Sequence, residues 1–290
     1  MIDLHERLSE FSCYGVTRET EQLLADVGVR TVPFMPSLLQ EKQIGFDVGF
    51  GSRGVPLLLQ FKLGQSLHRF VRVDKRYPAP ALEKPFFRFS IDTGEPDGQY
   101  ETLLKAQVDG AEAYYVAPRF SDWPKYVSFF ENGEVLQRSV MVPPGEIRGA
   151  LVSKGSPDGP HRIVYDRSSV HICSEPAPLR DAQPETIARD IASRMESGQR
   201  NLGQTVHRIY IGLEDRSAIR RRTGIADSGE ESEIVELAMD ERVPDQIRRD
   251  ERDHRLEKLR GRARSEEDAV AAALGLELWP LGIQLLFATK

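Results

Sequence analysis

Residues 44–62 read IGFDVGFGSRGVPLLLQFK, and this stretch decides the fold that the sequence predicts. Apolar residues alternate with small or polar ones over 44–50, a period typical of a β-strand with one buried face. The segment 51–54, GSRG, has the composition of a tight turn. Residues 55–61 are apolar at most positions, as in a strand buried on both faces. We therefore predict an antiparallel hairpin.

This hairpin would bring three polar side chains together. With the turn centred on residues 52–54, Asp47 falls opposite Gln60. Since side chains alternate along a strand, Gln60 and Lys62 share one face. Directly opposed residues have Cβ atoms roughly 4.5–5.5 Å apart. A carboxylate, an amide oxygen and an ammonium group are therefore expected to converge at one strand end.

Such a cluster suits phosphodiester hydrolysis with Mg²⁺ or Mn²⁺ as cofactor. Hard divalent cations take oxygen ligands, which Asp47 and Gln60 supply. The metal acidifies a water molecule, and Lys62 positions that water or stabilises the developing charge. A second carboxylate is desirable because Gln60 is neutral. The candidates are Glu21 on the preceding helix and Glu41 just before the hairpin.

Patterns around the hairpin predict two helices and three further strands. These elements are a helix at 17–27, strands at 29–34, 86–91 and 113–117, and a helix at 98–108. The stretch 63–85, basic and then proline-rich, is predicted to be a mixed loop. Gln99 and Glu101 open the second helix, where we expect a solvated first turn that suits the helix dipole.

The passage GFDVGFGSRGVPLLLQFK resembles the PD-(D/E)xK, or restriction-endonuclease-like, nuclease superfamily. Its Gln-Phe-Lys form is similar to the QxK branch of Mrr-like restriction enzymes and phage-defence nucleases. The resemblance covers residues 15–120 and implies an αβββαβ core with a mixed central sheet. It makes Asp47 the metal ligand, Gln60 the second-acid position and Lys62 the catalytic lysine, with Glu21 as an extra helix acid. Gln replaces the usual acid, and no proline precedes Asp47.

A basic stretch follows the motif. Residues 62–88 hold seven basic side chains and two acidic ones, a local net charge of +5, although the whole chain carries −6. We expect nucleic acid as partner because Lys and Arg contact phosphates. The family resemblance implies double-stranded DNA rather than RNA. A solvated loop is the alternative. The predicted contact residues are Arg69, Arg72, Lys75 and Arg76.

The prediction divides the chain into a nuclease domain at 1–150 and an α+β region at 151–290. Strands are expected at 161–165, 170–173 and 206–212, a helix at 184–195, and a return to a core at 278–288. Dense mixed charge at 214–275 predicts exposed helices with ion pairs four residues apart. We expect this largely helical region to bind a protein partner, sense a trigger or build a homo-oligomer.

Composition excludes several classes of protein. With 40% hydrophobic and 29% charged residues, the chain is ordinarily globular. Two cysteines cannot form a disulfide framework and fit a reducing cytoplasm. No secretory signal or membrane-spanning run is expected. A GxxxxGK[ST] loop is missing, and His161, His171, His207 and Cys173 lack the spacing of a zinc site.

We therefore predict a metal-dependent nuclease, and the family resemblance suggests a bacterial antiphage-defence effector. One alternative is a catalytically inactive subunit with the nuclease fold, which binds nucleic acid or assists assembly. The neutral Gln60 and the acidic net charge favour that alternative. A third hypothesis is an unrelated α+β enzyme in which Asp47 and Lys62 occur together by coincidence.

Overall fold

A computed structural model describes residues 4–35, 46, 48–70, 79–95, 98–173, 176–197, 201–223 and 245–290, with the backbone alone for 4–11, 214–223 and 245–250. The helices are α1 Leu4–Asp26, α2 Gln99–Val108, α3 Trp123–Asn132, α4 Pro144–Lys154, α5 Pro184–Ser197, α6 Leu202–Thr223, α7 Asp245–Arg260 and α8 Glu266–Leu278. The strands are β1 Arg30–Pro33, β2 Gly54–Phe61, β3 Gln65–Leu67, β4 Phe86–Asp92, β5 Glu112–Pro118, β6 Ser139–Val142, β7 Pro160–Tyr165, β8 Val170–Ile172, β9 Ala177–Pro178 and β10 Ile283–Thr289.

The fold is mixed α+β and holds two five-stranded sheets. The first sheet has the order β1-β10-β2-β5-β6, in which β2 and β5 run parallel and the other neighbours antiparallel. The second sheet has the order β3-β4-β7-β8-β9 and is antiparallel throughout. The prediction of a mixed sheet with several helices is confirmed.

The predicted hairpin is wrong. Strand β2 has two neighbours, and they are β10 and β5: Gln60 lies between Ile283 of β10 and Tyr115 of β5. None of the described residues at 46 and 48–50 belongs to a strand. The place that the prediction gave to residues 44–50 is therefore taken by a strand from the far end of the chain.

The apolar residues before β2 pack through their rings instead of pairing as a strand. Phe46 and Phe50 are buried, and their ring centroids lie 5.3 and 5.5 Å from that of Phe287 in β10. The carbonyl oxygens of Phe50 and Ser52 accept hydrogen bonds from the first N–H groups of α6, both at 2.9 Å. These hydrogen bonds occupy backbone carbonyl groups in the segment where the predicted hairpin would have formed its own strand pairing and turn.

Two hydrophobic clusters cover the two faces of the first sheet. One contains Leu57 and Leu59 of β2 with residues of α1, α3 and α5. The other contains Leu58 of β2 with residues of α2, α4, α6, α8 and the second sheet. Strand β2 is buried at all positions but its last, as its apolar sequence predicted. Each cluster contains residues from both sides of residue 150. The domain boundary predicted there stays a prediction.

Three further predictions need correction. Residues 206–212 lie in helix α6 and not in a strand, because Leu202, Val206, Ile209 and Leu213 recur at helical spacing and are all buried. The loop predicted at 63–85 contains β3, which pairs with β4 in the second sheet. Helix α1 begins at Leu4, well before the predicted start at residue 17.

The remaining predicted elements are confirmed within a few residues. Strands β7 and β8 pair as expected, and the final apolar segment returns to the core as β10. The prediction of exposed helices with ion pairs four residues apart is wrong for α8, whose residues 268–275 are all buried in the core. The ion pairs of Arg252 and Arg255 run from α7 to Glu277 of α8. Within the ranges described, no helix combines the length and the apolar character that a membrane span requires.

Candidate functional site

Gln60, near the end of β2, carries a buried polar atom that has no partner among the residues that the structure describes. Its side chain is 3% exposed. The amide nitrogen Nε2 donates to the carbonyl oxygen of Phe61 at 3.2 Å. The amide oxygen Oε1 accepts no hydrogen bond from any residue that the structure describes. A buried acceptor left unsatisfied costs about 1–3 kcal/mol, so such a position calls for a ligand or another explanation.

Lys62 follows directly after β2 and lies beside the same neighbours. Its backbone N–H donates to the carbonyl of Val116 at 2.8 Å, which prolongs the pairing with β5. Its ammonium nitrogen Nζ donates to Oε1 of Gln99 at 2.6 Å and lies 5.6 Å from the ring centroid of Tyr115. Burial lowers the pKa of Lys62, while the carboxylate of Glu95 opposes that shift.

Gln99, the first residue of α2, connects Lys62 to the C-terminal part of the chain. Its Oε1 accepts from Lys62, and its Nε2 donates to the carbonyl oxygen of Leu281 at 2.8 Å. The sequence analysis expected a solvated helix turn here. The side chain instead fixes the lysine amine between the end of β2, the start of α2 and the turn before β10. The sequence signal for this role is its place at the start of the second predicted helix, which in nuclease folds of this type can approach the site.

We expect Glu95→Gln to lower the pKa of Lys62 further. The carboxylate of Glu95 favours the charged form of the amine, so neutralising it leaves the burial effect less opposed. The amine then loses its proton at lower pH than in the unchanged protein. NMR titration of the Lys62 side chain measures the shift. Glu185→Gln, an exposed acid on α5 across the sheet, serves as the control. An upward shift, or none, would contradict the proposed coupling.

Glu21 does not join Gln60 and Lys62. It lies on α1, which packs against Leu57 and Leu59 on the other face of the sheet. Burial raises the pKa of Glu21. Glu21 could join the cluster only if the first helix covered the face of the sheet that carries Gln60. Asp47 and Glu41, the other predicted acids, lie outside the described residues.

The predicted nucleic-acid contacts are described only in part. Arg69 is exposed just after β3, whereas Arg72, Lys75 and Arg76 lie outside the described residues. Lys84 is also exposed, and Arg88 of β4 donates to the side-chain oxygen of Gln65 in β3. The described part of this stretch therefore has one of its arginines tied to the sheet edge.

A metal site is not complete among the residues that the structure describes. No group of three or more His, Cys, Asp or Glu side chains there could hold a metal ion. The donor that fits a hard cation is the unsatisfied Oε1 of Gln60, a neutral oxygen. Asp47, the carboxylate ligand that the sequence predicts, lies outside the described residues, whereas the described carboxylate of Glu95 lies close enough to Lys62 to oppose the lowering of its pKa by burial.

Comparison with known proteins found no relative. No protein-family model matches the chain, and no curated protein or solved structure matches it.

Proposed function

We propose that this protein is a divalent-metal-dependent nuclease of the PD-(D/E)xK type that hydrolyses phosphodiester bonds in DNA. One observation carries the proposal: a buried, unsatisfied Gln60 Oε1 lies at the end of a central strand, two residues before an amine held by Gln99. That pair matches the QxK residues that the sequence singled out. By the same resemblance, we propose a role in bacterial antiphage defence.

The residues divide the work between metal binding and charge stabilisation. Asp47 and Oε1 of Gln60 would hold Mg²⁺ or Mn²⁺, which when bound supplies an acidified water and a counter-charge for the phosphate. Lys62 would present its ammonium group to the negative charge that develops on the phosphate. Gln99 orients that ammonium group through the 2.6 Å hydrogen bond.

Electrostatics near the site support an anionic substrate. The stretch 62–88 has a local net charge of +5 in a chain of −6 overall. Arg69 and Lys84 are exposed within it. The positive side chains of this stretch would contact the phosphate backbone without reading its sequence. The acidic remainder of the surface would limit non-specific binding.

A second candidate function is that of a subunit with the nuclease fold that binds nucleic acid without cutting it. Gln60 is neutral, and the amine of Lys62 already has an acceptor in Gln99. The neutral oxygen of Gln60 would weaken a metal site relative to one with two acids, and the bond to Gln99 occupies one of the donors that Lys62 could offer to a phosphate. This protein would bind DNA equally well with and without Mg²⁺.

Cleavage of supercoiled plasmid with Mg²⁺ tests the proposal. We expect nicked and linear products with Mg²⁺ or Mn²⁺ and none with EDTA, because the metal supplies the activated water. Asp47→Ala should abolish cleavage, whereas Asp26→Ala, an exposed acid at the end of α1, should cut normally. Binding of plasmid without cleavage under any metal condition would favour the second candidate.

A further inference from the structure

Trp279 stands exposed in a short 3₁₀ turn, Trp279–Leu281, between α8 and β10. Its side chain is 48% exposed, although the preceding residue, Leu278, is fully buried. Single exposed apolar residues are common and need no explanation by themselves. The position of this one, beside the candidate site, is what distinguishes it.

The turn that carries Trp279 is bonded to the site. The carbonyl oxygen of Leu281 accepts from Gln99, which in turn accepts from Lys62. A 3₁₀ helix rises about 2 Å per residue, so Trp279 lies only about 4 Å along the turn from Leu281. The N–H of Gly282 donates to the carbonyl of Trp279 at 2.9 Å and closes the turn. The exposed indole therefore belongs to a short turn whose backbone is bonded to the site.

Gly282 keeps the space between the turn and Gln60 free. It is exposed and has φ of +68°, a conformation that favours glycine. A Cβ atom there would lie 3.5 Å from Nε2 of Gln60. Gly282 itself therefore places no side chain against the amide of Gln60.

We propose that the Trp279 ring stacks on an unpaired nucleobase while the ammonium group of Lys62 faces the adjoining phosphate. The substrate class is single-stranded or locally unpaired nucleic acid. The ring and the ammonium group complement the two chemical parts of a nucleotide, an aromatic base and an anionic phosphate. The phosphate half of this inference rests on the proposed function, whereas stacking requires only the exposed ring.

Tryptophan fluorescence tests the stacking directly. The chain has two tryptophans, and the other, Trp123, lies on α3 across the first sheet. In a Trp123→Phe variant, a single-stranded oligothymidylate in EDTA should quench the emission of Trp279. The matched Trp279→Phe variant, with Trp123 as its sole indole, should not respond. Equal quenching in both variants, or none in the first, would overturn the inference.

Binding affinity separates the contribution of the base from that of the phosphate. Trp279→Ala should weaken oligothymidylate binding about 5- to 100-fold, the usual range for losing one stacked base. Binding of an oligonucleotide of abasic sites should be the same for wild type and variant. Equal loss for both probes, or none for either, would contradict stacking.

These outcomes also distinguish the inference from the proposed function. Quenching without Mg²⁺-dependent cleavage would support stacking and reject the nuclease. Cleavage that needs Lys62, with no quenching of Trp279, would reject stacking and leave the nuclease proposal standing.

Discussion

Lys62→Ala is expected to lower the rate of Mg²⁺-dependent plasmid cleavage by about 100-fold or more, as the loss of one charge-stabilising donor does in other active sites. The ammonium group is half-buried and held at 2.6 Å by Gln99, so its position is fixed before substrate arrives. A preorganised charge loses little free energy to reorganisation. Among the hydrogen bonds given above, no other one donates to Oε1 of Gln99.

Two controls sharpen this experiment. Lys125→Ala removes an exposed lysine on α3, across the first sheet and outside the basic stretch, and should change cleavage little. Lys62→Arg keeps the charge but replaces a compact ammonium by a planar guanidinium, so we expect only partial recovery. Thermal melting should show that Lys62→Ala stays folded, since it loses one hydrogen bond worth about 1 kcal/mol. Cleavage by Lys62→Ala at the wild-type rate would reject the assigned site.

Local sequence patterns predicted the elements that carry the site. The apolar run of β2 and the helical pattern of α2 are each encoded within about ten residues, and both formed where expected. Alternation along β2 also predicted that Gln60 and Lys62 share neighbours. The structure agrees, because Gln60 pairs with Tyr115 and Lys62 Nζ lies over the same ring.

Local sequence patterns could not predict the contacts between distant parts of the chain. Alternation over residues 44–50 fits a strand, but burial of Phe46 and Phe50 against Phe287 satisfies the same apolar positions. The choice depends on β10, which lies more than two hundred residues later in the sequence. Gln99 was misjudged for the same reason, since one of its two partners, Leu281, precedes β10.

Leu286→Ala in β10 is expected to destabilise the protein by about 2–5 kcal/mol, the usual cost of truncating a buried leucine to alanine. Leu286 is 0% exposed and lies between Pro33 of β1 and Leu57 of β2. Its side chain belongs to the cluster beneath α1 and α5. The cavity left by the truncation would therefore open between the sheet and these helices. Urea unfolding monitored by circular dichroism measures the loss.

Lys290→Ala is the matched control, one residue beyond the same strand. Its ion pair with Glu196 is exposed, so we expect a change within about 0.5 kcal/mol. The effect of Leu286→Ala should reach the site as well, because Ile283 of the same strand pairs with Gln60. If β10 is central, partial unfolding by urea should remove Mg²⁺-dependent cleavage at a lower urea concentration in Leu286→Ala than in Lys290→Ala. Equal midpoints for the two variants would show that β10 does not hold the sheet together.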